Sequence, residues 1–577
     1  MKLFPQINLT IGCLLAAALR KIYRTCQIVK IALSEKNSFM VYFICTEQIN
    51  QNSFGKIESL VNELARTPTS IESLGDCSIQ EIKKELEMYK IPFSENFFSL
   101  HDWQKVQIDQ DTFIVVKEPV ENNLNSIKSF FIESIGGANF GDKKVDNLKV
   151  ISGVGFKTDD DRRKYENECE EIRNRNHRNL GQQLGIFTFN DLVGKGFPLW
   201  LPNGGIVREA INNCISYLRR KYNFQIVSTP IIGTVDLFKK SGHWSHYRDY
   251  MFPAMDVENR QYVLRPMTCP HHCLIYKTSK RCAKDLPLRL SEDSILHRYE
   301  ASGGLMGLER VRSMTLPDTH IFCEPEQILT EIHNCYKMVE EAGQLLGFSF
   351  TQIDLSLHDP NDKKKYVDNS SLWICCEEQL RDSLRQLNLS FVEKIGEAAF
   401  YGPKIDFQVR NYAGKLITLA TIQLDFNLPV YFDLKYKKGI TEHVPVIIHF
   451  GLIGTLERFI AILIEQTNGF FPFWLAIQQV QIIPVNVEKH LQSCERLLNV
   501  LKSNKIRASI DDSKERLAKK IRNAQLMKIP YQVIIGDSEV NTNLQLISYR
   551  EYGTNELKKI EFDKFLSMLA IKNNVFH

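Results

Sequence analysis

The chain has 577 residues, 44% of them hydrophobic, and a mass of 66.7 kDa, which is enough for about three or four domains with buried cores. Its 72 basic and 68 acidic residues nearly balance, so the composition excludes a polycation that binds nucleic acid over its whole surface. No apolar run reaches the roughly 18 residues of a membrane-spanning helix, and the start, Met1–Pro5, lacks the pattern of a cleaved signal.

The first 156 residues mix helical and strand patterns. Leu14–Tyr23 opens with strong helix formers and then becomes amphipathic, which predicts a helix. Phe130–Phe140 and Leu148–Phe156 are apolar runs broken by glycine, which predicts strands. Residues 1–156 are therefore predicted to form one α+β domain. The charged stretch that follows, residues 157–181, predicts an exposed linker helix without chemistry of its own.

The rest of the chain divides near residue 478. Residues 182–478 alternate strand and helix patterns and hold the densest motifs. Beyond them, short apolar strands at Val480–Val485, Ala508–Asp512 and Tyr531–Gly536 alternate with helical stretches. The helical stretches are residues 488–504, 513–527 and 562–571. This alternation predicts a small α/β domain over residues 479–577.

Cys269, His320 and His449 are candidate metal ligands. One thiolate and two imidazoles suit a zinc site whose fourth position is open to a small molecule. Spacing alone leaves the assignment open, because 14 cysteines and 14 histidines offer many chance triples. Each residue taken singly also fits a buried thiol or a core histidine. His271 and His272 are rival ligands, although adjacent side chains diverge and at most one could join Cys269. The absence of a short regular cysteine spacing favours reduced thiols in the cytoplasm.

Six sequence blocks carry a family resemblance. They are Ser241–Tyr247 (SGHWSHY), Leu286–Ser291 (LPLRLS), His297–Glu300 (HRYE), Ser302–Arg312 (SGGLMGLERVR), Tyr401–Phe407 (YGPKIDF) and Ile453–Phe459 (IGTLERF). The second to fourth blocks together resemble motif 2 of the class II aminoacyl-tRNA synthetases, and the last resembles motif 3. The first and fifth resemble blocks of the threonyl-tRNA synthetases in particular.

The resemblance covers most of the chain, from about residue 9 to residue 570, and is strongest over residues 175–475. It implies an α+β multidomain protein. An antiparallel-sheet catalytic domain at 182–478 would lie between an N-terminal α+β editing-like domain and a C-terminal α/β anticodon-binding domain. The usual preceding ubiquitin-like domain is expected to be missing.

The implied activity is ATP-dependent attachment of L-threonine to tRNA(Thr) through threonyl-adenylate, with Mg²⁺ accompanying ATP. A cytoplasmic homodimer without membrane contact is expected, since the motif 1 segment ending in Val227–Pro230 forms the subunit interface in this class. Amino-acid activation holds a carboxylate against the α-phosphate of ATP, so positioning and charge stabilisation supply most of the catalysis.

The resemblance also assigns residues to ATP. Arg298 would bind carboxylate and phosphate through its planar fork, and Arg458 would hold the far phosphates. Glu300 would accept from the adenine amino group, and Arg310 would hold the triphosphate tail. Thr455 would lie beside the adenylate. The expected catalytic residues are Arg298, Arg458 and Lys404.

The resemblance also implies that Cys269, His320 and His449 hold one zinc ion, which would recognise threonine. A pocket that selects by shape separates threonine from valine only about 10²-fold, whereas a metal binds the amino group and the hydroxyl together. The resemblance further implies that Asp318 accepts from that hydroxyl and that Tyr401 lies by the amino group. Lys404 and Gln423 would line the same pocket.

Two segments depart from the family pattern. Met314–His320 reads MTLPDTH where the family usually has FTQDDAH, so Met314 replaces an aromatic contact to adenine and Leu316 removes an amide. Ile417–Ala420 replaces a usual WQCG. An active enzyme of reduced efficiency is predicted. The alternatives are a catalytically impaired descendant that binds tRNA or regulates, and a synthetase for proline or serine. The metal ligands, Asp318 and the Tyr401 block oppose the last of these.

The N-terminal domain lacks the residues of an editing site. The family's His-x-x-x-His falls on Leu9 and Cys13, and its Cys-Arg-Gly-Pro-His falls on Val116–Val120. Hydrolysis near neutral pH needs groups that bind or deprotonate water, which leucine and valine cannot do. Hydrolysis of seryl-tRNA is therefore expected to be lost, while the domain persists for packing or for support of the tRNA arm.

Contacts to the anticodon are implied for the last domain, because unpaired bases can be read on their edges. Glu539 and Arg522 are the candidate residues. Ile547–Arg550 reads ISYR where the family usually has Val-Arg-x-Arg, so one expected arginine is missing.

Overall fold

The computed structural model describes residues 5–34, 37–66, 72–76, 78–88, 104–109, 112–116, 129–138, 148–362, 365–366 and 370–575. The chain forms two compact units, Met1–Arg173 and Asn174–His577. Across the described residues, the search for a helix both long and apolar enough to span a membrane finds none.

The first unit is an α+β domain, as predicted. Its elements are α1 Pro5–Ile22, β1 Gln27–Leu33, β2 Phe39–Ile44, α2 Phe54–Arg66, β3 Glu72–Asp76, α3 Ile79–Met88, β4 Gln104–Asp109, β5 Thr112–Val116, β6 Ser129–Gly137, β7 Leu148–Phe156 and the start of α4 Asp159–Arg175. The described strands form one sheet in the order β3-β4-β5-β1-β2-β7-β6. Helix α4 has no buried residue, as expected of an exposed helix, and its role as a linker stays a prediction.

Helix α1 is the centre of this domain, because every residue from Ile7 to Leu19 is buried. The helix packs against α2 and against β1, β2 and β7. It begins nine residues before the predicted start at Leu14, in a stretch that contains Gly12 and several residues with little helix preference. Burial against the sheet therefore outweighs local preference, and the predicted start was wrong.

The second unit begins with a long region that ends at residue 467. Its elements up to residue 467 are α5 His177–Gln183, β8 Phe187–Thr188, β9 Leu199–Trp200, α6 Pro202–Lys221, β10 Gln225–Ile226, β11 Ile232–Thr234, α7 Val235–Lys240, α8 His243–His246, β12 Met255–Val257, β13 Arg260–Leu264, α9 Cys269–Lys277, β14 Arg281–Cys282, β15 Leu288–His297, β16 Ser313–Cys323, α10 Ile328–Leu346, β17 Gln352–Leu357, α11 Ser370–Gln386, β18 Val392–Ile395, β19 Lys404–Arg410, β20 Leu416–Asp425, α12 Asn427–Tyr431, β21 Tyr436–Lys438, β22 Thr441–His443, β23 Val446–Gly451 and α13 Leu456–Thr467.

The main sheet of this region has the order β10-β15-β16-β23-β20-β19-β17-β18 among the described residues. The six inner strands pair antiparallel, while the short edge strands β10 and β18 pair parallel. This arrangement confirms the antiparallel-sheet domain.

One face of the sheet is buried in the largest hydrophobic core. Ile405, Ile422 and Ile448 are fully buried there and share a cluster with the apolar faces of α6, α10 and α13. Successive side chains of a strand point to opposite faces. The residues next to these isoleucines therefore face the other side of the sheet, where the candidate site lies.

The C-terminal part, also within the second unit, is the predicted α/β fold. Its elements are β24 Val480–Pro484, α14 Val487–Ser503, β25 Ala508–Ile510, α15 Leu517–Leu526, β26 Tyr531–Ile535, α16 Asp537–Asn541, β27 Leu546–Glu551, β28 Lys558–Glu561 and α17 Phe562–Asn573. The sheet order is β25-β24-β26-β27-β28. The predicted strands and helices are confirmed within a few residues, and β27 and β28 add an antiparallel edge.

Two adjacent glycines in the first turns of α6 allow a stability test. A Cβ at Gly204 would lie 2.1 Å from the backbone oxygen of Ile186, whereas one at Gly205 would meet nothing within 4 Å. Alanine in place of a helical glycine normally stabilises by up to about 1 kcal/mol. We expect Gly205→Ala to raise the Tm slightly and Gly204→Ala to lower the free energy of unfolding by about 1–3 kcal/mol. Thermal unfolding followed by circular dichroism distinguishes them, and equal Tm values would contradict the packing at Ile186.

Candidate functional site

Strand register aligns the central residues of the site. Lys404 pairs with Gln423, Gln423 with His449, and His449 with His320 across four neighbouring strands. Paired residues share a face of the sheet, and the isoleucines next to them fill the core on the opposite face. Sequence positions more than a hundred residues apart are thus placed in one row.

Cys269, His320 and His449 come together as a possible metal site. Their ligand atoms all lie within 4.8 Å of one another, and all three residues are buried. Cys269 is the first residue of α9, where the helix dipole favours a thiolate. One thiol and two imidazoles are a donor set that suits zinc, and the atoms lie close enough together to converge on one ion.

The protonation states of these residues also suit a metal. Burial lowers the pKa of His320 well below its usual value, helped by the nearby His449 and His272. Its imidazole is therefore neutral and keeps a lone pair. Burial raises the pKa of the Cys269 thiol well above its usual range, so a cation must displace the thiol proton when it binds.

Each histidine of the group is held by a neighbour through one ring nitrogen. His449 Nε2 lies 2.9 Å from Asp425 Oδ2, and His320 Nδ1 lies 2.8 Å from His272 Nδ1. Such outer contacts orient metal-binding imidazoles. His272 therefore lies behind a candidate ligand, outside the three-residue group. His271, the second rival, packs against Phe238 with ring centroids 6.1 Å apart.

Cys269, His320 and His449 line a cavity of about 870 Å³. The predicted site residues that line it are Cys269, Arg298, Glu300, Arg310, Asp318, His320, Tyr401, Gln423, His449, Thr455 and Arg458. A single cavity thus joins the candidate metal group to the arginines of the motif 2 and motif 3 segments.

Three arginines of the cavity wall, Arg298, Arg310 and Arg458, lie near one another. Arg458 lies in the first turn of α13, whose start is capped by the Thr455 hydroxyl, and its Nε donates to the Glu309 carbonyl at 3.1 Å. Burial lowers the pKa of Arg458, and so do the charges of Arg298 and Arg310. Arg298 Nε is buried without a hydrogen-bond partner. Cations held together in this way are stabilised by an anionic ligand.

Glu300 is tied to this group. Arg310 donates from Nε to Glu300 Oε2 at 2.8 Å, and a second guanidinium nitrogen also lies 2.8 Å from that oxygen. Arg310 itself is half exposed. The motif 2 hairpin therefore presents a carboxylate next to a cation at the cavity wall.

The predicted amino-acid pocket lies around the metal group. Burial raises the pKa of the Asp318 carboxyl. Tyr401 donates its hydroxyl to Gln423 Oε1 at 2.9 Å, and its ring centroid lies 5.0 Å from that of His449. Lys404 is placed differently, because its amine contacts Asp406 and lies 3.4 Å from the Ser356 hydroxyl. Lys404 is not among the described residues that line the cavity.

The segments that depart from the family pattern also reach the cavity. Met314 and Leu316 line it, as do Thr418 and Leu419. Met314 packs with Leu296 and Val311 in a small apolar cluster. The wall where an aromatic ring was expected is therefore aliphatic, and its polarisable thioether can still contact a ring.

His243 also lies in this region, and the resemblance of its SGHWSHY block predicts no role for it. Its Nε2 lies 3.9 Å from Cys269 Sγ, and its Nδ1 lies 2.9 Å from the Ser241 hydroxyl. Burial lowers the pKa of His243 to about 3, aided by the charges of His449 and Arg298. The run of polar and aromatic residues in that block was the available signal.

A second cluster, His177, Glu309 and Glu465, has similar spacing. Here His177 Nδ1 lies 2.8 Å from Glu465, and His177 Nε2 accepts from the Leu308 N–H at 3.1 Å. Both ring nitrogens are therefore occupied by protein groups, so this cluster ties α5 to α13 and to the motif 2 loop.

In the first unit, the positions expected for an editing site are apolar and closed to water. Leu9, Cys13 and Val116 are at most 1% exposed and belong to one hydrophobic cluster. Burial raises the pKa of Cys13 to about 12, so the thiol is neutral. Residues 117–120 of the second predicted segment lie outside the described residues.

The two predicted tRNA contacts differ in environment. Arg522 is exposed on α15, whereas Glu539 is buried and accepts from the Gly536 N–H and from the hydroxyls of Ser538 and Ser548, at 2.6–2.9 Å. Burial opposes ionisation, but these hydrogen bonds outweigh it and lower the pKa of Glu539. Glu539 therefore stabilises the start of α16, and its contact with a base stays a prediction.

Family models match two parts of the chain. The tRNA synthetase class II core domain (G, H, P, S and T) matches residues 250–467, and an anticodon binding domain matches residues 479–572. The first match contains the cavity and its arginines, and the second covers the C-terminal α/β fold.

Known proteins match the chain over most of its length. A threonine–tRNA ligase of Mycoplasmoides gallisepticum is 44% identical over 93% of this chain and 95% of its own length. One of Mycoplasma genitalium is 42% identical over 92% and 94%. The crystal structure of the RNA binding domain of threonyl-tRNA synthetase from Cryptosporidium parvum has a TM-score of 0.65 and 33% identity, covering 69% of this chain and 98% of that one. The chain therefore belongs to the threonine–tRNA ligase family of class II tRNA synthetases.

Proposed function

We propose that this chain attaches L-threonine to tRNA(Thr) in an ATP-dependent reaction that passes through threonyl-adenylate. The observation that carries the proposal is the single cavity lined both by Cys269, His320 and His449 and by the motif arginines. A carboxylate and a triphosphate are both anions, so their reaction needs a site that offsets both charges. The cytoplasm is the proposed location, since each described cysteine is a free thiol.

Arg298 has the central role in the proposed activation step. Its unpaired Nε can hold the threonine carboxylate or the α-phosphate, while Arg458 and Arg310 hold the remaining phosphates with Mg²⁺. The carboxylate oxygen attacks the α-phosphorus, and pyrophosphate leaves. Glu300 is proposed to accept a hydrogen bond from the adenine amino group while it stays in contact with Arg310. A direct role for Lys404 in the reaction stays a prediction, because its amine is held by Asp406.

A zinc ion on the three-residue group would bind the amino group and hydroxyl of threonine. Asp318 is proposed to accept a hydrogen bond from that hydroxyl, and the Tyr401–Gln423 pair would orient the amino end. Valine offers no hydroxyl, so it leaves these polar groups without a partner, and that is a stronger basis for rejection than shape. A binding-only descendant would have no use for this arrangement.

The editing reaction is proposed to be lost, because Leu9, Cys13 and Val116 fill a hydrophobic core. The N-terminal domain would then support the fold or the tRNA arm. A second copy of the chain is the proposed partner of the motif 1 region. There the partly exposed Val227–Pro230 segment lies between Ile226, 61% exposed, and Ile232, 40% exposed.

The zinc site is tested with two cysteines of the same helix. Cys269→Ser removes a proposed ligand, whereas Cys273→Ser changes a buried thiol one turn later that lies outside the group. We expect the wild type and Cys273→Ser to hold about one zinc ion per chain and Cys269→Ser to lose it. Threonine-dependent ATP–pyrophosphate exchange should fall by about 10²-fold or more in Cys269→Ser, the scale of a lost recognition group. Elemental analysis and exchange assays with threonine, serine and valine measure both effects, and a zinc-free wild type would refute the site.

Loss of editing is tested directly on pre-formed seryl-tRNA(Thr). We expect the chain to hydrolyse it no faster than buffer does, because no group at Leu9, Cys13 or Val116 can activate water. A threonine–tRNA ligase that has the His-x-x-x-His motif serves as the positive control. Rapid hydrolysis that depends on this chain would contradict the proposal.

The proposed homodimer is tested by placing charge in its interface. We expect the double variant Ile226→Asp, Ile232→Asp to sediment as a monomer, because buried carboxylates without partners oppose association. The control, Ile440→Asp with Ile571→Asp, changes isoleucines that are 100% and 78% exposed away from motif 1 and should leave the dimer intact. Sedimentation velocity gives the masses, and a dimeric interface variant would rule out this surface.

A further inference from the structure

The two candidate histidine ligands are supported by different chemistry. His449 contacts a carboxylate, Asp425, at 2.9 Å, whereas His320 contacts a second imidazole, that of His272, at 2.8 Å. Both His320 and His272 are at most 1% exposed, so water does not take the place of either partner. The state of His320 therefore depends on His272.

The short contact between two Nδ1 atoms has room for one hydrogen. If His320 Nδ1 carries that hydrogen, the Nε2 of His320 keeps its lone pair and can bind a metal. His272 must then accept through Nδ1 and carry its own hydrogen on Nε2. In the opposite assignment His272 donates, the hydrogen of His320 moves to Nε2, and the metal-binding nitrogen is blocked.

A buried carboxylate decides between the two assignments. Glu292 Oε2 lies 3.7 Å from His272 Nε2, and that nitrogen has no hydrogen-bond partner at shorter range. Glu292 is ion-paired to Arg265 at 2.9 Å and accepts from the Ser294 hydroxyl at 2.7 Å. Burial opposes its ionisation, but hydrogen bonds and the Arg265 charge outweigh burial and lower its pKa to about 2. The negative charge favours hydrogen on His272 Nε2.

We propose that His272 is a positioning residue, which together with Glu292 holds His320 in the tautomer whose Nε2 is open to the metal. This inference rests on the proposed zinc site and assigns to His272 a role that is neither ligand nor substrate contact. His272 does not line the cavity, so its effect reaches the substrate only through the ion. A residue of this kind typically changes metal affinity by about 10–100-fold.

Zinc release tests the assignment without any measurement of activity. The purified chain is mixed with 4-(2-pyridylazo)resorcinol, and the rate of zinc transfer is followed by absorbance. We expect His272→Leu and His272→Ala to release zinc about 10–100-fold faster than the wild type. The side-chain oxygen of His272→Asn can accept a hydrogen bond near the position of Nδ1. This variant should therefore release zinc at a rate within a few-fold of the wild-type rate. His271→Leu is the matched control, because it removes the neighbouring buried imidazole outside the group and should release zinc at the wild-type rate.

The cobalt-substituted protein adds a spectroscopic measurement. We expect His272→Leu or His272→Ala, whichever folds by circular dichroism, to shift the visible d–d bands of bound Co²⁺, while His271→Leu leaves them unchanged. A folded His272→Leu or His272→Ala variant with the wild-type rate of zinc release and the wild-type Co²⁺ bands would overturn the inference. The zinc site itself would still stand. Equal effects from His271→Leu would overturn the inference too. A wild-type chain that holds no zinc would instead overturn the proposed site, and this inference with it.

Discussion

The antiparallel register of four strands is the constraint on which the site depends. One residue each from β19, β20, β23 and β16 forms the row Lys404, Gln423, His449 and His320. If any one of these strands shifted by one residue, its polar residue in the row would face the hydrophobic core. A neighbouring isoleucine would then face the cavity. The hydrophobic core therefore fixes the position of the polar groups, because only one register buries Ile405, Ile422 and Ile448 together.

The charges and protonation states of these polar groups suit the binding of a ligand. Arg298, Arg310 and Arg458 lie close enough that the first two lower the pKa of the third. In the same cavity, burial lowers the pKa of His320 and raises that of Cys269. An anion would therefore stabilise the arginine group, while the neutral His320 keeps a lone pair for a cation.

Much of this site could be predicted from the sequence, because its residues lie in dense blocks that resemble those of a known family, although spacing alone leaves the metal assignment open. The metal group, the motif arginines and Asp318 lie in one cavity, as expected. The sequence did not indicate that Lys404 is held by Asp406 or that the Glu539 carboxylate is buried, because those contacts depend on side-chain directions in the folded chain. The start of α1 was missed for a related reason: burial against β1, β2 and β7 overrides weak local preference. His272 looked like a rival ligand because adjacency in sequence does not show which way an imidazole points.

The proposed function requires the chain to distinguish threonine from serine, and residues of both units bear on this selection. Serine has the hydroxyl that a metal and Asp318 would recognise and differs from threonine by one methyl group. A methyl group in a pocket is worth about 1–3 kcal/mol, or roughly 10–200-fold discrimination. In relatives with an editing site, hydrolysis adds a second selection. Here the corresponding positions Leu9, Cys13 and Val116 are core residues, so adding histidines there would bury polar groups without partners at a cost of several kcal/mol. Under the proposed function, we therefore expect discrimination against serine to come from how tightly the cavity packs around the threonine methyl group.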